Sequence, residues 1–204
     1  MKVVDFLRFL FKMTISKSQL LRDIDTLRNE ISDLKKMLIP FNSEEMELLS
    51  LNQSNVSKRK RFSTVTKGIF NTIYYEPLIA YGIKNYSNNQ KLILICSSTD
   101  EFVYLSKGNT THVFMNDTEA GVLTSDGKFY SIKNKLLALI DGADQLQSHT
   151  VWIQGKDMGY INNPRFVSKS IPRAYNLLKS MSQEEQNIFL CLTLVNLVEE
   201  AQLN

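Results

Sequence analysis

A chain of 204 residues with 43% hydrophobic and 22% charged side chains holds enough apolar material for a folded core, and its net charge of +3 is too small for a broad nucleic-acid face. The charge is also local: residues 1–61 carry 12 Lys+Arg against 8 Asp+Glu, residues 62–204 carry 12 against 13, and nucleic acid is an unlikely partner. Both cysteines, Cys96 and Cys191, lie in apolar runs and read as buried free thiols, which suits a reducing, cytoplasmic setting.

Residues 2–13 read as an amphipathic helix. Lys2, Asp5, Arg8 and Lys12 form one narrow polar stripe, and Val3, Val4, Phe6, Leu7, Phe9, Leu10, Phe11 and Met13 make a very wide apolar face. Asp5 and Arg8 interrupt the run from Val3 to Phe11 and no small-residue cleavage site follows, so the segment is expected to be retained. Phe6, Phe9, Leu10 and Phe11 are the candidate docking residues, for a groove on a larger protein assembly, for a membrane interface, or for the chain's own domain or a dimer mate.

Leu20, Ile24, Leu27, Ile31, Leu34 and Leu38 then alternate steps of four and three, a heptad seam. With Leu20 at d, isoleucines fall at a and leucines at d, the pattern of a parallel two-stranded coiled coil. Asp23 and Glu30 fall at g, and Arg28 and Lys35 at e, where each acid would face a base of the mate. The seam predicts self-association as a dimer or higher oligomer, with an intramolecular helical hairpin as the alternative. Pro40 stops the helix, a short helix is expected from Ser43 through Met46 and Glu47, and Asn52 to Ser57 reads as a polar linker. It ends in Lys58-Arg59-Lys60-Arg61, a candidate contact for phosphate or lipid headgroups, or a solvated linker.

From Phe62 the pattern is that of strands. Ten are expected: 68–75, 78–84, 91–97, 101–106, 111–115, 121–124, 128–132, 135–141, 150–154 and 158–162. Asp126-Gly127 is the best hairpin signal, suiting a type I′ turn. An ungapped repeat at an offset of 38 relates 113–123 to 151–161, each copy reading as strand, tight turn and strand, with Gly121 and Gly159 placed for a bulge or a close backbone approach. Asp117, Glu119 and Asp157 sit at the turns and read as turn formers. His112 and His149 precede the two copies, and Trp152 reads as core packing.

After Pro164 helix is expected again, with Pro172 in a first turn and Ala174, Leu177 and Leu178 on its apolar side. Ser182 and Glu185 then form a capping box that launches 188–198, a run apolar on every side of the helical wheel. Such a helix must be enclosed, and at that length it is too short to cross a bilayer.

The two repeat copies and the helix at 188–198 give residues 62–204 a resemblance to the tubby C-terminal-like barrel superfamily, which includes tubby, LURP-one-related proteins and phospholipid scramblases. That resemblance implies a closed barrel around a hydrophobic helix and contact with membrane lipids or an interaction role, with no particular chemistry. No basic phosphoinositide pocket is identifiable in the β region.

No phosphate-binding loop, dinucleotide fingerprint, zinc spacing or nucleophile elbow is present, and no catalytic residue, metal or cofactor is expected. The expected fold class is α+β: residues 1–40 form an amphipathic and coiled-coil helical region, 41–61 a short helix and basic linker, and 62–204 an antiparallel β-rich, barrel-like domain packed around a C-terminal helix. The expected function is that of a non-enzymatic scaffold that self-associates and docks onto a larger assembly. The alternatives are a peripheral membrane module on anionic lipid and, third, an enzyme with a pocket in the β domain.

Overall fold

In a computed structural model of the chain, the described residues are 15–57, 65–86, 89–142, 147–163 and 172–200. Twelve antiparallel strands follow one another in a single meander: β1 Leu49–Ser57, β2 Val65–Thr72, β3 Pro77–Asn85, β4 Gln90–Cys96, β5 Glu101–Lys107, β6 Thr110–Met115, β7 Thr118–Thr124, β8 Lys128–Tyr130, β9 Leu136–Asp141, β10 Ser148–Ile153, β11 Lys156–Asn162 and β12 Tyr175–Leu177. The helices are α1 Lys17–Lys35, α2 Ser43–Leu48 and α3 Gln183–Glu200.

Side-chain alternation sorts each strand into two faces. Ile79, Tyr81, Ile83, Ile93, Ile95, Phe102, Tyr104, Val113, Phe129, Val151 and Ile153 point inward, where they meet Ile188 to Val198 of α3 in one core. The helix is buried on all sides, as its unpatterned apolar sequence requires. Its interior polar groups are matched: the Thr193 hydroxyl donates to the Phe189 carbonyl at 2.8 Å and lies 3.0 Å from the Tyr175 hydroxyl, and Tyr104 donates to the Leu190 carbonyl at 3.3 Å. At its start Glu185 N–H donates to Ser182 Oγ at 3.3 Å and Ser182 N–H to Glu185 Oε2 at 3.0 Å, the expected capping box.

The outward face of the first half of the sheet is apolar too. Leu92, Leu94, Cys96, Val103, Leu105 and Phe114 are buried beneath Leu20, Ile24, Leu27 and Ile31 of α1. Strands β4 and β5 therefore read as near-continuous apolar runs, because both of their faces are covered. Gly82 is what lets the helix down onto β3: a Cβ there would lie 3.0 Å from Ile31 Cγ2.

The ten expected strands all exist, with bounds moved by a few residues, and two more were unforeseen. Asn52 to Ser57, expected as a linker, is most of β1; its polar side chains carry little strand signal, and pairing with β2 decides the matter. The stretch after Pro172, expected as helix, contains β12 instead, because its backbone is needed to close the cylinder. Leu51 N–H donates to the Pro172 carbonyl at 3.0 Å, Ala174 N–H donates to the Leu49 carbonyl at 2.7 Å, and Ser50 bridges to Arg173.

The repeat is real in three dimensions. In both copies a two-residue turn of positive φ, Asn116-Asp117 and Gln154-Gly155, is followed by a bulge at a pair of Val with Gly, Val113 with Gly121 and Val151 with Gly159. A Cβ on either glycine would collide with a carbonyl of the next strand, that of Tyr130 or Asn176. The type I′ geometry expected at Asp126-Gly127 is absent: Gly127 alone has positive φ there, and its N–H donates back to the Thr124 carbonyl at 3.0 Å.

Candidate docking end of the barrel

The heptad seam is used, and its partner is the sheet. Leu20, Ile24, Leu27 and Ile31 are 8% exposed or less, against strands of their own chain. Leu34 and Leu38 are half-buried and drop out of the stripe, since α1 ends at Lys35 and the chain turns so that Ile39 N–H reaches the Pro77 carbonyl. The flanking charges address the barrel as well. Asp23 accepts from Lys84 Nζ at 2.6 Å and the Tyr86 hydroxyl at 2.7 Å, Glu30 accepts from Lys67 Nζ at 2.9 Å, and Arg28 donates to Glu101 and Asp117; Lys35 is exposed. Among the described residues no coiled coil is seen, and a parallel two-stranded coil on this seam would require α1 to leave the sheet. A stripe specifies one-sided burial without naming what covers it.

These contacts also fix which way α1 points. Lys67 meets Glu30, whereas Val65, two residues earlier in β2, pairs with Lys84, which reaches Asp23. Moving back along β2 is thus moving back along α1 toward its start. The entry to β2, just after the basic run, and the entry to α1, just after the Phe-rich segment, lie at the same end of the barrel. The β3–β4 turn is there, through Tyr86, and so is the exit of α3, through Lys91 Nζ to Glu199 Oε1 at 2.7 Å. Phe6, Phe9, Leu10, Phe11 and Lys58 to Arg61 themselves lie outside the described residues; their attachment points, Ile15, Ser57 and Val65, do not.

At this end the barrel has a polar mouth. One cavity of about 290 Å³ is lined by Ser125, Asp126, His149, Asn163, Asn196 and Glu200 among others, and a neighbouring one of about 600 Å³ shares Ser125, Gly127 and Asn196. Polar groups therefore converge here. Asp126 is taken by Thr124 Oγ1 and Lys128 Nζ, which lower its pKa, and His149 Nε2 lies 3.5 Å from the Asn163 amide. The remaining sequence candidates are structural: Asp117 receives Arg28, Asp157 Oδ1 accepts from Gly159 N–H at 3.2 Å, and Glu119 lies 3.0 Å from His112 Nδ1. Both thiols are buried, which pushes Cys96 and Cys191 up to about 12 and leaves them poor nucleophiles. Among the described residues no group of three or more His, Cys, Asp or Glu could hold a metal ion, and no helix is long and apolar enough to cross a membrane.

Two surface features escaped the sequence. Beside α1, on the outer face of β5 and β6, runs an apolar groove of about 230 Å³ walled by Leu20, Leu21, Ile24, Val103, Leu105 and Phe114, and ended by the Arg28–Asp117 pair. Farther round, Trp152 is half-buried on the outer wall opposite Leu139, not in the core; alternation gives Val151 and Ile153 the inward positions and turns Trp152 out. No family model matches the chain, and no curated protein or solved structure matches it.

Proposed function

We propose that this protein is a non-enzymatic docking module that works from one end of its barrel, with an anionic membrane surface as its target. The observation carrying this reading is the convergence of two attachment points, those of the Phe-rich segment and of Lys58 to Arg61, at the same end. An apolar segment alone binds a bilayer weakly, and stable peripheral binding takes a second signal such as a polybasic patch. Here Phe6, Phe9, Leu10 and Phe11 insert, and the basic run meets anionic headgroups. The filled lumen, the nearly closed cylinder and the enclosed helix support the likeness to tubby-like barrels, whose members contact membrane lipids.

Flotation with phosphatidylserine-containing vesicles tests it. The full chain floats, Phe9→Glu and alanine replacement of Lys58 to Arg61 each abolish or sharply reduce flotation, and no flotation of the native chain sinks the reading.

A second reading, docking onto a larger protein assembly, is favoured by the uncovered outer wall of β8–β10, where Leu136 and Ile132 are 41% and 52% exposed beside half-buried Leu139 and Trp152.

A further inference from the structure

The second half of the barrel carries no described helix on its outer wall. An antiparallel sheet that faces water on one side has polar residues at its outward positions. Here the cross-strand pairs on that face include Tyr130 with Leu136 and Leu139 with Trp152, and Ile132 stands exposed beside them. We infer that this wall is the contact between two copies of the chain, which meet antiparallel about a two-fold axis passing near Leu139 and Trp152. Pairing of this kind does not depend on membrane docking; it gives the wall a second copy in place of an unrelated assembly.

Three observations carry it. The first is an anchor with room beside it. Half-buried Trp152 borders an open groove of about 480 Å³ whose walls include Leu136, Leu139 and Gln154. Two-fold symmetry lays the Trp152 ring of each copy over the groove of the other, and central aromatic side chains carry most of an interface's energy. The second is charge. Lys133 and Lys135 stand just before β9 and Asp141 ends it, about 20 Å farther along the strand, with the Leu139–Trp152 pair between them. Neighbouring charges are already matched, Lys128 by Asp126 and Lys156 by Glu185, whereas among the described residues Lys133, Lys135 and Asp141 form no ion pair. A patch with bases at one end and an acid at the other complements itself only when inverted. The two lysines of one copy then face Asp141 of its mate, and a parallel meeting would set like charges together. The third is size. Strands β7 to β11, spaced about 4.8 Å and about 20 Å long, offer a face of roughly 500 Å², so two copies bury at most roughly 1,000 Å². That is the lower bound of a specific interface, and it fits a reversible dimer that forms at tens of micromolar, on the order of −6 to −7 kcal/mol.

The inverted arrangement also fixes where the docking ends go. The polar mouth lies at the Asp141 end of β9, since Gly142 and His149 line it. A half-turn about an axis normal to the wall sends the two mouths in opposite directions. The dimer therefore presents its docking ends to two surfaces rather than both to one, and where those ends bind anionic lipid it bridges two membranes.

Sedimentation velocity and tryptophan fluorescence of the full chain, over about 1–200 µM, test the pairing. Trp152 is the only tryptophan, so its emission reports on this wall alone and moves to shorter wavelength as monomer becomes dimer. Leu139→Asp stays monomeric across the range, and a retained cooperative thermal transition verifies its fold. Lys135→Asp and Asp141→Lys each weaken pairing about tenfold, because like charges then meet. An equimolar mixture of the two regains native pairing, since every mixed dimer has opposite charges at both ends. A native chain that stays monomeric throughout overturns the inference and leaves the wall to a different protein. So does a dimer that Leu139→Asp leaves intact, which moves self-association to another face. A mixture that pairs no better than its components overturns the antiparallel arrangement. Phosphatidylserine vesicles separate the pairing from the membrane reading: the native chain clusters them, Leu139→Asp binds without clustering, and equal clustering by both overturns the inverted dimer. A dimer that meets the fluorescence and mixing tests yet binds no vesicles keeps the inference and defeats the membrane reading instead.

Discussion

The two long helices of this protein are buried by opposite means. α3 lies inside the cylinder, apolar around its whole circumference and capped by side chains at its start. α1 lies outside, with one stripe on the sheet and its edges fastened by ion pairs to strands β2, β3 and β5. The inner helix has no alternative to its site, because the barrel closes around it. The outer one is held by a single face and by ion pairs along its edges, of which Lys84–Asp23 is nearly sealed and Lys67–Glu30 open to water. Enclosure makes a core, whereas one-sided cover leaves a helix free to serve as a wall.

That contrast can be broken most severely from within. Leu194→Asp places a charge in the sealed core and is expected to yield no folded protein, read by loss of the cooperative thermal transition. Leu192→Ala and Leu27→Ala compare the two burials at equal chemistry. Each costs about 2–5 kcal/mol by denaturant titration; the inner change lowers protection of the whole barrel to exchange, and the outer one chiefly that of α1. Equal loss of protection everywhere for Leu27→Ala would make α1 as integral as α3.

Next come the fastenings. Burial alone would raise the Asp23 carboxyl, but hydrogen bonds from Lys84, Tyr86 and Gln19 outweigh it and hold it below the usual carboxylate range. Asp23→Ala leaves Lys84 facing a buried gap and costs about 1–3 kcal/mol. Because the folded group titrates below the unfolded one, its stabilisation is present above the unfolded carboxylate range and fades as pH falls through the folded value. A pH series of α1 protection in the native chain and in Asp23→Ala shows a difference near neutrality that narrows in acid. Smallest is the cap. The Ser182 amide, Lys156 and the Ser182 hydroxyl hold the Glu185 carboxyl at about 2, so Ser182→Ala lets it titrate closer to an ordinary glutamate and lowers Tm by a few degrees.

Much of this fold was legible in the chain. An apolar helix without a stripe means enclosure, and alternating segments with Gly and Asn turns mean an antiparallel sheet; together they define the barrel and its filling. What escaped detection was fixed by pairing rather than by side chains. Asn52-Gln53-Ser54 forms strand because β2 offers it a ladder, and the residues after Pro172 are extended because β1 needs a second neighbour. The seam at Leu20 to Ile31 was readable as a buried stripe, but a helix and a sheet accept the same stripe, and its charges fitted either. The docking end was illegible for a further reason. The attachment points Ile15 and Val65 fall at one end only through the register of Val65 with Lys84 and the reach of Lys84 to Asp23, and no local pattern announces a register.

The closure of the sheet by Leu49, Ser50, Pro172, Arg173 and Ala174 carries a consequence for how the molecule is made. Its first stave and its last are separated by more than a hundred residues, and the helix that fills it comes after every strand. Until α3 has been synthesised, twelve strands present a curved, greasy trough with nothing to hold. Folding therefore waits on a late arrival, the slow and aggregation-exposed regime expected of distant pairings. A nascent chain stalled before Gln183 is the form on which cellular holding factors should act.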